Sequence, residues 1–254
     1  MSRNFELLQN LGKEQLVVDD LAPVESTPER EISEPFNLTE PQLKLDPSEH
    51  EQLTKLVQRV FLVPAEESPR IVVFTASESG NGCSWICARA AEALAAQVAG
   101  NVCLVDANFR KPELHSQFGL DNQEGLADAL CRQEPVRNFI RQLSRPNLWL
   151  LSSGSSPERC VSSLGSEHLR RKLAELRSPN NYVLIDAPAM NVSSDGAALG
   201  AGADGVVIVF RANTSRREPA RKVIQDLRVA RVRVLGAVLN QRTFPIPESI
   251  YKRI

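Results

Sequence analysis

The stretch IVVFTASESGNGCSWICARAAEALAAQV, residues 71–98, decides the fold of this chain. An apolar run at 71–76 passes into a short loop that contains Gly80 and Gly82, and an alanine-rich segment follows. A glycine loop between a strand and a helix lets backbone N–H groups and the helix N-terminus point at one anion. The stretch therefore predicts a strand, a phosphate-binding loop and a helix from about 84 to 98.

The loop departs from the full phosphate-loop signature, G-x-x-x-x-G-K-[ST]. Gly80, Gly82 and Ser84 stand where that pattern places them, whereas Ser77 replaces the first glycine and Cys83 replaces the lysine. The lysine normally reaches the β- and γ-phosphates, and the hydroxyl of the last residue binds magnesium. Taken alone the loop is a weak signal, because glycine turns that enter helices are common for structural reasons.

Apolar runs continue outward from this stretch, at 101–107, 147–154, 182–188, 205–212 and 232–240, with helical patterns around 167–176 and 216–230. Several runs are apolar on both faces, as strands buried between two helix layers must be. Alternation of strands and helices is typical of a mostly parallel sheet. We therefore expect an α/β fold of this kind from about residue 70 onward.

Two of the predicted strands end in an aspartate. Asp106 ends CLVD in CLVDANFRKP (103–112), and Asp186 ends YVLID in YVLIDAPA (182–189). Ligands of α/β sheets bind at the carboxyl ends of the strands, so Asp106 is a candidate to hold magnesium or to orient an attacking hydroxyl. The second segment has the form of a Walker B strand, whose aspartate supports magnesium. Both aspartates could instead simply cap the next helix.

The N-terminal part differs in composition from the rest. Residues 1–50 carry 4 Lys or Arg against 11 Asp or Glu, and prolines punctuate residues 23–47. We read residues 1–47 as a short amphipathic helix (4–16) and a disordered acidic linker. Ser48 is the expected N-cap of the first helix of the domain at 48–254, with Glu51 completing a capping box.

Composition narrows the function classes further. No apolar run approaches the ~20 residues of a membrane-spanning helix, and the N-terminus lacks a signal-peptide profile, so we expect a cytoplasmic protein. The five cysteines form no C-x-x-C pair, which favours reduced thiols. Much of the positive charge follows Arg211. This basic part is either a solvated helix face or a surface that attracts nucleic acid or anionic lipid.

Together, the loop, Asp106 with Arg110, and Asp186 resemble the catalytic domain of the bacterial tyrosine kinases of capsule and exopolysaccharide synthesis, the CpsD/CapB-like relatives of the MinD/ParA ATPases. The resemblance covers about residues 48–254. It includes LVDANFRKPELHSQFGL (104–120), LLSSGSSPE (150–158), DGVVIVFRANTSRRE (204–218) and LGAVLNQR (235–242).

The resemblance implies a P-loop NTPase-like three-layer fold that binds ATP or ADP with Mg²⁺. It assigns nucleotide contacts to Gly80, Asn81, Gly82, Cys83, Ser84, Trp85 and Asn240, with Asn240 near the adenine. Trp85 could stack on the base, although a tryptophan at a helix start more often packs against a neighbouring element. The implied metal site is Ser84, Asp106 and Asp186, and the implied catalytic residues are Asp106, Arg110 and Asp186.

The resemblance also implies partners. Proteins of this kind work with a membrane polysaccharide co-polymerase, so we expect peripheral placement at the inner face of the membrane through that partner. An active homologous kinase and self-association are further expected interactions. No specific nucleic acid is expected.

The sequence departs from the family pattern where activity needs it. Cys83 removes the cation of the loop, and Asn108 replaces the second carboxylate of the family's D-x-D-x-R. Thr54 and Val57 stand at the arginine positions of the family's E-x-x-R-x-x-R helix, which retains only Glu51. The C-terminal tyrosine cluster is reduced to Tyr251, the single phosphoacceptor candidate.

These losses predict a degenerate, kinase-inactive member that regulates or scaffolds polysaccharide assembly and binds nucleotide weakly or not at all. Two alternatives stay open. One is an active tyrosine kinase or ATPase with an unusual loop, in which a lysine such as Lys111 replaces the missing cation. The other is a MinD/ParA-like positioning ATPase, suggested by the basic C-terminal part.

Overall fold

The computed structural model describes residues 46–62, 68–132, 134–155, 167–177 and 180–241. The predicted helix at 4–16, nearly all of the predicted linker and Tyr251 lie outside the described residues. No helix within these ranges has the length and apolar character needed to cross a bilayer.

Seven strands form one sheet in the order β3-β4-β2-β5-β1-β6-β7. All neighbouring strands run parallel except β3, which pairs antiparallel with β4. The strands are β1 (Ile71–Ala76), β2 (Val102–Asp106), β3 (Ile140–Gln142), β4 (Leu148–Leu151), β5 (Tyr182–Asp186), β6 (Gly205–Arg211) and β7 (Val234–Asn240). The expectation of an α/β fold with a mostly parallel sheet is confirmed.

Seven α-helices and one 3-10 turn (Val136–Phe139) connect the strands in the described residues. The helices are α1 (Pro47–Phe61), α2 (Cys83–Gln97), α3 (Leu114–Gln117), α4 (Leu126–Arg132), α5 (Glu167–Arg177), α6 (Asp195–Gly200) and α7 (Arg217–Val229). The short helices α3, α4 and α6 and the three-residue strand β3 were not predicted from the sequence.

The sheet separates two apolar layers, because successive side chains of a strand point to opposite faces. Val72 and Phe74 of β1 pack with α1 and α2 on one face. Ile71 and Val73 pack on the other face, together with residues of α4, α5 and α7. Strands β1 and β2 are buried along their whole length. Both are interior strands of the sheet, so their carboxyl ends lie away from its edges.

Two sequence predictions need correction. Helix α1 begins two residues early, with Asp46 as N-cap. Asp46 N–H donates to Glu49 Oε2 at 3.2 Å, so the capping box is Asp46–Glu49 rather than Ser48–Glu51. Pro47 at the first helical position favours this start, because proline has no N–H to satisfy there. The expectation of reduced thiols holds for three buried cysteines, Cys83, Cys87 and Cys103, whereas Cys131 is disulfide-bonded.

Candidate functional site

The loop after β1 keeps the shape of an anion cradle. Gly80 and Gly82 have φ angles of +86° and +81°, values that only glycine adopts readily. No backbone N–H from Ser79 to Ser84 donates a hydrogen bond to another described residue. These N–H groups surround the N-terminus of α2, so they and the helix dipole remain available to a phosphate.

The side chain of Asn81 braces this loop from inside the protein. Its Nδ2 donates to Ser77 Oγ at 3.0 Å, to the Val209 carbonyl at 3.2 Å and to Ser215 Oγ at 3.5 Å. Asn81 is only 3% exposed. The predicted nucleotide contact of Asn81 is therefore limited to its backbone, because its amide is directed toward β6 and the start of α7.

Asn240, at the end of β7, supports the same loop. Its Nδ2 donates to the Asn81 carbonyl at 2.9 Å, and its Oδ1 accepts the Gln241 N–H at 2.8 Å. A Cβ atom on Gly82 would collide with this amide. Asn240 thus supports the loop backbone next to Gly82, and its expected position near the adenine stays a prediction.

Asp106 and Asp186 lie side by side at the carboxyl ends of β2 and β5. The two residues are direct partners in the parallel register of these strands, and both are fully buried. Alternation along each strand directs both side chains to the face that α2 covers. The structure therefore brings together the two carboxylates that the sequence singled out.

The two carboxylates differ in their partners. Asp106 accepts hydrogen bonds from the backbone N–H groups of Asn108 and Leu114, both at 3.1 Å. Neither oxygen of Asp186 accepts a hydrogen bond of normal geometry from the described residues. Burial and the charge of Asp106 raise the pKa of Asp186, whereas the nearby Ser84 hydroxyl and Cys83 thiol lower it. Asp186 is consequently a buried acid without a well-formed hydrogen bond from the described residues.

Burial dominates the protonation of this pair. It raises the pKa of Asp106 to about 7, against the lowering effect of the backbone N–H groups of Leu114, Asn108 and Glu113. Burial also raises the pKa of Asp186 well above its usual value, and the neighbouring Asp106 raises it further. Without a compensating cation, two adjacent buried carboxylates cannot both ionise readily.

Cys83 supplies no such cation. Its side chain is 9% exposed, and burial, followed by the charge of Asp186, raises the pKa of the thiol well above its usual value. Cys87, one turn further along α2, is fully buried, and its pKa is raised by burial and by the same two aspartates. A neutral thiol thus occupies the lysine position and faces the carboxylate pair.

The basic residues near the site do not supply the missing positive charge. Arg110 is about half exposed and its Nε lies 4.0 Å from Asp195 Oδ2. Lys111 is exposed and pairs with Glu113 at 2.7 Å. Among the described residues, neither side chain contacts Asp106 or Asp186 through a hydrogen bond or an ion pair.

The contacts of two further residues, Trp85 and Asn108, support the fold. Trp85 is partly buried and packs against the apolar layer that contains α1 and α2, in agreement with the alternative to base stacking. Asn108, at the position of the lost carboxylate, accepts the Lys111 N–H at 3.3 Å through Oδ1 and so shapes the turn after β2. Tyr251 lies outside the described residues and stays a prediction.

Sequence reasoning missed two contributors to the site. Ser215 reaches Asn81 across 134 residues of sequence, and no local pattern signals that contact. Glu113 raises the pKa of both aspartates by its charge. Cys87 was recognisable, because it lies four residues after Cys83 and therefore on the same face of α2, but the spacing was interpreted as packing.

Known proteins resemble this chain along most of its length. YwqD, a tyrosine-protein kinase of Bacillus subtilis, is 27% identical over 190 residues, which is 75% of this chain and 80% of YwqD. The tyrosine-protein kinase Etk of Escherichia coli is 24% identical over 175 residues, 69% of this chain and 24% of Etk. No protein-family profile matches the sequence.

Solved structures agree with these relatives. The chimerical protein CapA2B2 superimposes with a TM-score of 0.73 at 25% identity, covering 80% of this chain and 88% of that structure. The kinase domain of Escherichia coli Etk gives a TM-score of 0.71 at 21% identity, covering 78% and 79%. A Mycobacterium smegmatis cobyrinic acid a,c-diamide synthase with bound ATP analogue and magnesium shares the fold at 16% identity and a TM-score of 0.62.

The fold of the chain agrees with these likenesses. The chain is a homologue of the bacterial tyrosine-protein kinases and has the P-loop NTPase-like fold of their kinase domains.

Proposed function

We propose that this chain is a catalytically degenerate member of the tyrosine-kinase group that serves capsule or exopolysaccharide biosynthesis. It acts as a regulatory or scaffolding partner of a membrane polysaccharide co-polymerase. The observation that carries the proposal is the buried, neutral thiol of Cys83 at the lysine position, directly opposite Asp186. Phosphoryl transfer depends on positioning and on neutralisation of developing charge, so loss of that cation costs orders of magnitude in rate.

The hydrogen bonds around the loop are intact, which supports a non-catalytic role over a general loss of function. Asn81, Ser215 and Asn240 hold the loop in place through hydrogen bonds that need no nucleotide. A protein that only had to keep its fold and its surface would retain this brace and could lose the lysine.

The residues present fit a magnesium–nucleotide ligand in part. The unused N–H groups from Ser79 to Ser84 suit a phosphate, and the unpartnered oxygens of Asp186 suit a divalent cation. Ser84, Asp106 and Asp186 would hold Mg²⁺, which would neutralise phosphate charge when bound. The loop N–H groups would orient the β-phosphate, but in the described part of the chain no basic side chain contacts the site to stabilise the charge that develops on a transferring phosphoryl group.

Affinity capture from native membranes tests the proposed role. Tagged wild-type protein and an Asp186→Asn variant are cross-linked in cells and recovered in parallel. We expect a co-polymerase or a homologous kinase with both baits, because scaffolding does not require the aspartate. Recovery of neither partner, from cells that are making the polysaccharide, would refute the proposal.

One observation favours a second function, an active kinase or ATPase. The N–H groups of the loop and the Asp106–Asp186 pair are the parts that bind and orient Mg-ATP in such a mechanism. Purified protein would then release phosphate from Mg-ATP, and Asp186→Ala would abolish the release. Phosphate release that is unchanged by the substitution would come from a contaminant and would exclude this function.

A further inference from the structure

We propose that the solvent face of α7 is a docking surface for an anionic lipid bilayer. The basic C-terminal part that the sequence analysis noted is concentrated here. Between residues 216 and 233 the chain carries seven Lys or Arg against two Asp or Glu. All seven cations are exposed, and none forms an ion pair with a described residue.

The cations are ordered on the helix. Arg217, Arg221 and Arg228 are spaced four and seven residues apart, which places them within about 40° of one another around the helix axis. We call these three residues the arginine ridge; it extends about 16 Å along α7. Val223 and Leu227 are buried on the opposite side, so the packing of α7 on the sheet directs the ridge to solvent.

The start of α7 carries charge of the unfavourable sign. Arg216 is the N-cap and makes no side-chain capping bond, and Arg217 is the first helical residue. Cations at a helix N-terminus oppose the helix dipole, where anions are favoured. Glu218 in the same turn offsets part of this conflict, and an approaching anionic surface would relieve the rest, so the arrangement supports binding of anions.

Two features favour a bilayer over nucleic acid. Val229, at the C-terminal end of α7, is 78% exposed next to Arg228, and an exposed apolar side chain beside cations suits the boundary between headgroups and acyl chains. No aromatic residue occurs between 211 and 241, so this face has no platform on which single-stranded bases could stack. The inference is independent of nucleotide binding and of any partner protein.

Vesicle co-sedimentation tests the inference with purified full-length protein. The vesicles are phosphatidylcholine alone or phosphatidylcholine with about one third phosphatidylglycerol. We expect binding only to the anionic vesicles, weakened by salt as screening shortens the range of the charges. The Arg217→Glu/Arg221→Glu/Arg228→Glu variant should lose about tenfold or more of this binding.

A matched variant controls for net charge. Arg59→Glu/Arg137→Glu/Arg145→Glu changes the net charge equally at three exposed arginines outside α7, and it should retain most of the binding. The Arg217→Lys/Arg221→Lys/Arg228→Lys variant should bind the anionic vesicles nearly as well as wild type. Melting curves establish that each variant is folded. Equal binding by the ridge and control variants, no vesicle binding by wild type, or tighter binding to duplex DNA than to vesicles would each overturn the inference.

Discussion

At the scale of single residues, the site is defined by the charge it lacks. Asp106 and Asp186 are adjacent, buried and without a basic partner among the described residues. The lysine of an ordinary phosphate loop would offset part of this charge, but Cys83 stays neutral because burial raises its pKa. The free energy of the folded state should therefore depend on how far the two acids ionise.

We predict that this pair makes the metal-free protein less stable as pH rises. The pKa of Asp106 is about 7 in the folded state against an ordinary value of 3.8, so the folded state holds a proton that the unfolded state has released. Stability linked to this group is present below about pH 4 and is lost as pH rises to about 7. Each unit of pKa difference corresponds to about 1.4 kcal/mol.

Urea denaturation in EDTA across this pH range measures the effect. Asp106→Asn should become progressively more stable than wild type as pH rises, whereas Asp226→Asn, at an exposed carboxylate of α7, should follow wild type. Parallel pH profiles for Asp106→Asn and wild type would show that the buried pair carries no such linkage.

At the scale of elements, the loop is held by contacts from distant strands. Asn81 reaches β6 and the start of α7, and Asn240 of β7 supports Gly82 from the other side. The loop conformation is therefore a property of β1, β6 and β7 together.

Substitution of the two loop glycines by alanine should separate backbone strain from this support. Both glycines have positive φ, so each substitution should cost about 1 kcal/mol in the free energy of unfolding. A Cβ at Gly80 meets no atom within 4 Å, whereas a Cβ at Gly82 meets the Asn240 amide. Gly82→Ala should therefore destabilise the protein clearly more than Gly80→Ala.

The double variant Gly82→Ala/Asn240→Ala checks the cause. Removal of the amide should recover part of the extra loss, as a coupling energy in a double-mutant cycle. Equal destabilisation by the two single substitutions, or strictly additive effects in the double variant, would show that Asn240 does not support Gly82.

The sequence was informative at this scale where burial is continuous. The runs that form β1, β2, β5 and β6 were found because strands covered on both faces must be apolar throughout. Strand β7 was found from its apolar run, although it is an edge strand whose residues are partly or fully exposed. Strand β3 was missed because Ile140–Gln142 is short, antiparallel and partly exposed. The brace of Asn81 could not be predicted, because its acceptors on β6 and beyond are set by tertiary contact and leave no local pattern.

At the scale of the whole molecule, α1 is the helix through which the resemblance implied self-association. Val57, at one of the lost arginine positions, is fully buried against the core, and Thr54, at the other, is partly buried. Glu51 is paired with Lys55 of the same helix. The exposed side of α1 thus lacks both cations that such an assembly needs.

We predict that the purified protein sediments as a monomer at micromolar concentrations. Thr54→Arg should not change this, because the second arginine position faces the core and cannot reach a neighbour. Sedimentation velocity over a range of concentrations measures the state directly. A larger species that grows with concentration in wild type would contradict this prediction and would mean that self-association proceeds through another surface.

The central claim is that the phosphate loop between β1 and α2 has kept its backbone conformation and has lost the positive charge of its lysine at Cys83. Calorimetric titration of Mg-ATP, with phosphate release measured on the same samples, tests it in wild type, Cys83→Lys and the neutral control Cys83→Ser. A charged hydrogen-bond donor contributes about 1.5–3 kcal/mol, so Cys83→Lys should bind Mg-ATP about tenfold or more tightly than wild type, and Cys83→Ser should not. Wild-type protein that binds Mg-ATP as tightly as Cys83→Lys and releases phosphate would contradict the account.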